Sequence, residues 1–280
     1  MITSADIARA VTAAVGEAAV TLRPDAYAAM RKALSTERSE RGRRVLEQLL
    51  ANADIAMADS VPLCQDTGTV WAWVELGENE SLTGDVQSAV DRAVEESYAR
   101  HKLRMSVARD ALFDRSNTGT NTPAFVEVTS RTGAGATVHV MLKGGGSDNS
   151  SALAMLEPGD GMAGVERFVL ETVQAKATGA CPPVVVGVGV GGSFDKVAGL
   201  AKKALLGSLD EVSADPEIAA LEQRLLAQVN ATGIGPAGLG GDTTALAVKV
   251  KTAPCHIAAL PVAVNMGCSA VRTATVEVTG

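Results

Sequence analysis

Val61-Pro62-Leu63-Cys64-Gln65-Asp66-Thr67-Gly68 sets a thiol, an amide, a carboxylate and a hydroxyl in four successive positions. The proline and the glycine keep these residues out of regular structure, so a loop can present the four side chains together. On its C-terminal side lies a strand-like run, Thr69-Val70-Trp71-Ala72-Trp73-Val74; on its N-terminal side the chain reads as helix. The loop therefore divides a helical N-terminal segment, residues 1–60, from a sheet-forming remainder.

Ile7, Val11 and Val15 share one face of a helix over residues 4–20, with Ser4 as the cap candidate. Pro24 starts a second helix, and Glu37 to Asp59 gives a third that buries Val45, Leu46, Leu49 and Leu50. Beyond the loop, a strand over 69–76 is followed by a helix from Gly84 or Asp85 to about His101. The segment 124–130 and the segment 137–142 read as strands joined across Gly133-Ala134-Gly135, the pattern of a hairpin. Helices are expected over 160–177, 194–206 and 216–231, and an apolar strand over 184–190 has the look of one buried on both faces. Strands at 243–251, 257–264 and 271–278 close the chain. Helices and strands mix without strict alternation. The expected fold is therefore mixed α/β (α+β), with N-terminal helices and then a mixed sheet or two small sheets flanked by helices. No linker divides it, so residues 1–280 are read as a single domain.

A length of 280 residues is enough for a sizeable core, and 46% hydrophobic against 20% charged residues is an ordinary globular balance. The net charge of -7, with 25 scattered Lys and Arg, argues against a nucleic-acid surface. No apolar run reaches the roughly 18 residues of a membrane span. Met1 to Asp6 lacks the basic and apolar regions of a signal peptide, so a cytoplasmic chain is expected. In a reducing compartment, Cys64, Cys181, Cys255 and Cys268 read as buried thiols or metal ligands rather than disulfides. The absence of a C-x-x-C pair removes zinc ribbons and thioredoxin-like sites, and single cysteines in Gly/Pro loops remain compatible with a cluster held by three thiolates.

Gly187-Val188-Gly189-Val190-Gly191-Gly192 matches G-x-G-x-x-G between a strand and a helix, the context of a dinucleotide site. No acidic residue ends a following strand about 20 positions on, so close strand-to-helix packing is the plainer reading. Trp71 and Trp73, on one face of a strand, read as core, and His101 and His139 as structural.

Six motifs, in order, carry a resemblance: Pro62 to Gly68, Asn117-Thr118-Gly119-Thr120-Asn121-Thr122-Pro123, Lys143-Gly144-Gly145-Gly146-Ser147, Ala180-Cys181-Pro182-Pro183, Ile234-Gly235-Pro236 and Gly267-Cys268-Ser269-Ala270. The chain resembles, from about residue 5 to 278, the iron-sulfur hydro-lyases of the class I fumarase and L-tartrate dehydratase type, in particular the alpha subunit of the two-subunit form. The resemblance implies a [4Fe-4S] cluster on Cys64, Cys181 and Cys268 with one iron left open. It assigns Asp66 to proton transfer, His256 to the substrate or its hydroxyl, and Gln65, Arg104 and the Gly145 backbone N–H to substrate binding. Arg115 and Arg272 lie near matched motifs and are less secure cation candidates, the alternatives being solvated side chains or pairs with acids such as Asp114. Cys255 falls where the family asks for no cysteine and is expected to be a small buried residue.

The chemistry suits these groups. Dehydrating a hydroxy acid needs a Lewis acid on the leaving hydroxyl, a base for the proton beside the other carboxylate, and cations for the charge that develops there. The expected function is reversible hydration of a small dicarboxylate, fumarate to malate, because Lys143 to Asn149 resembles the fumarase version of that loop. The alternatives are an L-tartrate dehydratase alpha subunit and a non-enzymatic iron-sulfur or nucleotide-binding module. The resemblance also implies that the remaining catalytic groups, a base threonine among them, lie on a separate beta subunit, so a hetero-oligomer is expected.

Overall fold

The computed structural model describes residues 1–279. In chain order the elements are β1 (Ile2–Thr3), α1 (Ser4–Val20), α2 (Pro24–Thr36), α3 (Glu40–Asp59), β2 (Thr69–Gly77), β3 (Leu82–Thr83), α4 (Val86–Arg100), β4 (Phe125–Arg131) and β5 (Ala136–Lys143). They continue as α5 (Gly145–Asn149), β6 (Ala152–Leu156), α6 (Gly161–Lys176), β7 (Val184–Gly192), α7 (Phe194–Ala204), α8 (Pro216–Ala231), β8 (Ala245–Cys255), β9 (Leu260–Gly267) and β10 (Thr273–Val278). The mixed α/β class expected from the sequence is what the chain adopts. Two compact units are built from interleaved segments: residues 1–23, 53–145 and 272–280 form one, residues 24–52 and 146–271 the other. Among the described residues no helix is long and apolar enough to cross a membrane.

The first unit is a four-stranded sheet in the order β10-β5-β2-β4. Its core joins Val11 and Val15 of α1 and Val90 and Val94 of α4 to Val70 and Val74 of β2 and Val138 and Val140 of β5. The cap of α1 is Thr3, one residue before the expected Ser4: Thr3 Oγ1 accepts the Asp6 N–H, and the Asp6 carboxylate accepts the Thr3 N–H at 2.8 Å. The expected hairpin does not form. β2 lies between β4 and β5, pairing parallel with the first and antiparallel with the second. The 132–135 connection instead crosses the end of β2, where Gly77 donates to Gly135 O at 2.8 Å; a Cβ there would stand 2.4 Å from Gly133 O. A glycine-rich turn between two strand patterns signals a reversal but not which strands become neighbours.

The second unit is a sheet in the order β6-β9-β7-β8, with β7 parallel to β8 and antiparallel to β9. Val184, Val186 and Val188 of β7 pack with Val165, Val169 and Val173 of α6 and Leu221, Leu225 and Val229 of α8. On the other face, Cβ atoms at Gly187 and Gly189 would lie 2.2 Å from Ala201 O and 2.4 Å from Val197 O of α7. Close packing of α7 on bare strand thus accounts for these two glycines of the dinucleotide-like motif. Ala152 to Leu156, which the sequence reading passed over, is the edge strand β6; it contains no β-branched residue, and antiparallel pairing with β9 outweighs local preference.

The third helix begins at Glu40, and Glu37, expected inside it, is a buried carboxylate (2% exposed) at the joint after α2. Leu46 and Leu50 are buried as expected, while Val45 and Leu49 are half-buried. Glu37 accepts the N–H groups of Ser39 at 3.0 Å, Asp242 at 2.9 Å and Thr243 at 3.0 Å, pinning the 233–243 loop. Glu37→Ala strands these donors, and we expect it to lower stability by about 3–5 kcal/mol, measured by urea unfolding. A loss below about 1 kcal/mol would show that water replaces the carboxylate.

Candidate active site

The Val61 to Gly68 loop is fixed at both ends. Val61 donates to Ala56 O at 3.0 Å and the buried Leu63 donates to Ala19 O at 2.9 Å, so the chain leaves α3 in a set direction. At the far end the buried Thr67 donates through Oγ1 to Arg104 O at 2.8 Å. The Tyr98 hydroxyl lies 3.0 Å from Thr67 O and 3.2 Å from Gly68 O, both acceptors. Burial pushes the Tyr98 phenol well above its usual range, so it stays protonated and donates. Asn121 completes the arrangement: Nδ2 donates to Gly68 O at 3.1 Å, and Oδ1 accepts the Ser106 N–H at 2.6 Å. One side chain of the Asn117–Pro123 motif thereby ties the Arg104 segment to the Cys64 loop.

Gly68 brings in a third segment. Its φ is +71°, and a Cβ would lie 2.1 Å from Lys143 O, so only glycine lets the loop run against the end of β5. There the Gly145 N–H donates to Asp66 Oδ2 at 2.9 Å. The resemblance gave that N–H to a substrate oxygen; the structure gives it to the half-buried Asp66 carboxylate. Cys64, Gln65, Asp66, Arg104 and Gly145 thus belong to one unit, with Cys64 half-buried and the Gln65 and Arg104 side chains exposed.

Cys181 and Cys268 belong to the other unit. Cys181 takes a left-handed conformation, φ 57°, ψ 71°, before a cis Pro182–Pro183 bond. Its carbonyl accepts the Ser269 N–H at 3.2 Å, placing the two cysteine loops side by side. Pro182 O accepts the Ala237 N–H at 2.8 Å, which explains the Ile234-Gly235-Pro236 motif as a brace. α5 is held in the same unit by its Asp148, whose Oδ1 accepts from Lys202 Nζ at 2.8 Å and Asn265 Nδ2 at 3.1 Å. Burial lowers the Lys202 ammonium from its usual range, and the Asp148 carboxylate opposes that shift.

His256 stands apart from these two cysteines. It lies in the exposed turn before β9, whereas Cys268 follows the other end of that strand. A strand of this length spans roughly 27 Å, because each antiparallel residue rises about 3.4 Å. The twelve-residue spacing therefore becomes distance. Cys255, expected to be buried, is exposed, its Sγ 3.2 Å from Ala259 O. Trp71 and Trp73 stack at 5.8 Å between centroids, and Trp71 also stacks on Phe125 at 4.5 Å.

No cysteine is in a disulfide. Among the described residues no three His, Cys, Asp or Glu side chains are gathered as for a metal ion. The donor set of Cys64, Cys181 and Cys268 is nonetheless of the all-thiol kind that iron-sulfur clusters use. Each of the three sits on a loop held by backbone hydrogen bonds, with its side chain at least partly open. In the chemistry of their donors, these residues fit such a group. Tyr98 was not singled out from the sequence, and Thr67 and Asn121 appeared there only within their motifs, with no supporting role assigned.

The family model described as Fumarate hydratase (Fumerase) matches residues 8–277. A Methanocaldococcus jannaschii protein, named provisionally as an L(+)-tartrate dehydratase subunit alpha, is 39% identical over 266 residues, covering 92% of each chain. L(+)-tartrate dehydratase subunit alpha proteins of Escherichia coli and Shigella boydii are each 35% identical over 246 residues, covering 86% of this chain and 80% of theirs. A match over nearly the whole length, carrying the motifs that build both cysteine loops, places this chain in the fumarate hydratase (Fumerase) family.

Proposed function

We propose that this chain is the alpha subunit of an iron-sulfur hydro-lyase that adds water to, or removes it from, a small dicarboxylate. The observation that carries the reading is the gathering of the Cys64 loop, the Arg104 segment and Gly145 around Asp66. Cys64, Cys181 and Cys268 would hold the [4Fe-4S] cluster, which when bound supplies a Lewis-acidic iron for the leaving hydroxyl. Asp66, its Oδ2 held by the Gly145 N–H, would take part in proton transfer at the bound substrate, while the base for the carbon-borne proton is sought on the beta subunit. The Arg104 guanidinium is a planar fork suited to a carboxylate, and Gln65, next to Asp66, offers an amide to a substrate oxygen. His256 lies too far along β9 from Cys268 to serve the same substrate within one chain, so the reading gives proton transfer to Asp66. The two units work as one catalytic domain in this reading.

The Lys143 to Asn149 loop favours fumarate and malate, as does the family's description, and the relatives' names favour L-tartrate. Comparing kcat/KM for malate and L-tartrate separates the two. The same relatives are named as alpha subunits, which supports a separate beta subunit as partner; in this reading the further catalytic groups lie on that subunit. A missing general base alone costs at least about a hundredfold. Purified anaerobically, the chain alone should therefore turn over at less than about a hundredth of the rate of the chain with its partner. Full turnover by the lone chain would overturn the two-subunit reading.

A further inference from the structure

Arg272, at the start of β10, is the only buried arginine among the described residues, 3% exposed. Its carbonyl accepts the Leu142 N–H at 2.9 Å, which fixes its backbone beside the end of β5. Its Nε and Nη1 atoms are buried, and neither donates a hydrogen bond. Of the alternatives open from the sequence, it is not a solvated arginine, and among the described residues no acid stands within ion-pair distance of it. Two buried guanidinium donors without acceptors are costly, and an added acceptor would recover that cost. The position makes sense when an anion joins it.

Gly144 shows where. A Cβ built on Gly144 would stand 3.2 Å from Arg272 Nη2 and 3.0 Å from Asp66 Oδ2. The missing side chain lets the Gly144 backbone lie between the Arg272 guanidinium on one side and the Asp66 carboxylate on the other. The Tyr98 hydroxyl feels the charge of both.

Resting on the hydro-lyase reading, we infer that Arg272 is a substrate-holding residue whose guanidinium receives a carboxylate oxygen of the dicarboxylate beside the bare Gly144. Arg104, on the exposed surface of the same unit, is free to take the other carboxylate. The bound carboxylate neutralises the buried charge and places the adjacent carbon beside Asp66. Gly144 then has a steric reason to be glycine that is separate from backbone conformation.

The test uses the assembled two-subunit holoenzyme carrying Arg272→Met, Arg272→Lys or Gly144→Ala. It reads KM and kcat together with the calorimetric Kd of succinate, a dicarboxylate that cannot be dehydrated. Arg272→Met should raise both KM and the succinate Kd by about tenfold to hundredfold, the range for losing a hydrogen bond to a charged group, with visible iron absorption unchanged. Arg272→Lys should recover part of that loss. Gly144→Ala should raise both constants without removing a charge. Succinate binding within twofold of wild type in the folded Arg272 variants would overturn the assignment. So would loss of the iron absorption, which would make the arginine a partner of the cluster instead. Should Arg272→Met fail to fold, Arg272→Lys decides by the same criteria. If the wild-type holoenzyme binds succinate but dehydrates neither malate nor L-tartrate, the hydro-lyase reading fails while the succinate comparison still judges Arg272. If the wild type binds no dicarboxylate, the assignment itself fails.

Discussion

Replacing Cys181 by serine in the assembled enzyme should lower turnover by more than about a thousandfold and abolish the visible absorption of bound iron. Losing a metal ligand must exceed the ten- to hundredfold that losing an outer-shell partner typically costs. The same result is expected for Cys64 and Cys268, each on a loop held by backbone hydrogen bonds. Cys255→Ser is the control: its thiol is exposed, hydrogen-bonds to the Ala259 carbonyl in the adjoining turn, and should leave turnover and absorption within twofold of wild type. Because Cys181 is exposed, stability of the iron-free chain should move by no more than about 0.5 kcal/mol, so the loss of activity cannot be ascribed to unfolding. Retention of iron and activity by any one of the three serine variants would remove that residue from the ligand set.

Gly68→Ala should have the largest effect of any glycine substitution at the site. Two costs combine there. A left-handed backbone costs a residue with a Cβ about 1–2 kcal/mol, and at Gly68 that Cβ would also stand 2.1 Å from Lys143 O and 2.3 Å from its carbonyl carbon, neither of which can swing aside. The loop must then leave the end of β5, taking Asp66 away from the Gly145 N–H. The expected result is a stability loss of about 3 kcal/mol or more, with turnover below about a hundredth of wild type. Gly119→Ala separates the two costs, since Gly119 has φ +77° but nothing within 4 Å of the Cβ position. It should lose only the backbone component, about 1–2 kcal/mol, and keep its activity. Equal losses at the two positions would show that steric contact with β5 is not what holds the loop.

The sequence made some of this visible and concealed the rest, for physical reasons. Helices with a clean apolar stripe and a cap, such as α1 with Thr3 and α8 with Asp215 and Pro216, are specified locally, and each lies within a residue or two of its expected bounds. β7 was legible because a strand buried on both faces is apolar throughout. What cannot be read locally is which strands become neighbours. The turn at Gly133–Gly135 is real, yet β2 occupies the space between β4 and β5 because its own two faces and both edges can be buried there. Glu37 misled for a related reason: a glutamate at a helix boundary looks like a first-turn residue, and only the fold shows that the N–H groups of the distant Asp242 and Thr243 converge on it with that of the nearby Ser39.

At the candidate site, the loops were legible through their residue types and the supports were not. A thiol followed by an amide and a carboxylate between Pro62 and Gly68 stands out in any sequence. Tyr98 and Asn121, whose side chains hold that loop, look like ordinary helix and turn residues until Gly68 O and Thr67 O are placed beside them. His256 shows how spacing along the chain differs from distance in space. Twelve residues seem a short separation from Cys268, but eight of the intervening residues are extended, and extension converts spacing into distance.

The central claim is that three thiols of this chain hold an iron-sulfur cluster with one iron open to the dicarboxylate. The most direct test is the Mössbauer spectrum of the holoenzyme reconstituted with 57Fe, recorded with and without malate or L-tartrate. The account predicts that a single iron site changes its signal when the dicarboxylate binds while the remaining sites hold theirs. An enzyme that turns over with every iron site indifferent to substrate, or with no iron at all, would contradict it.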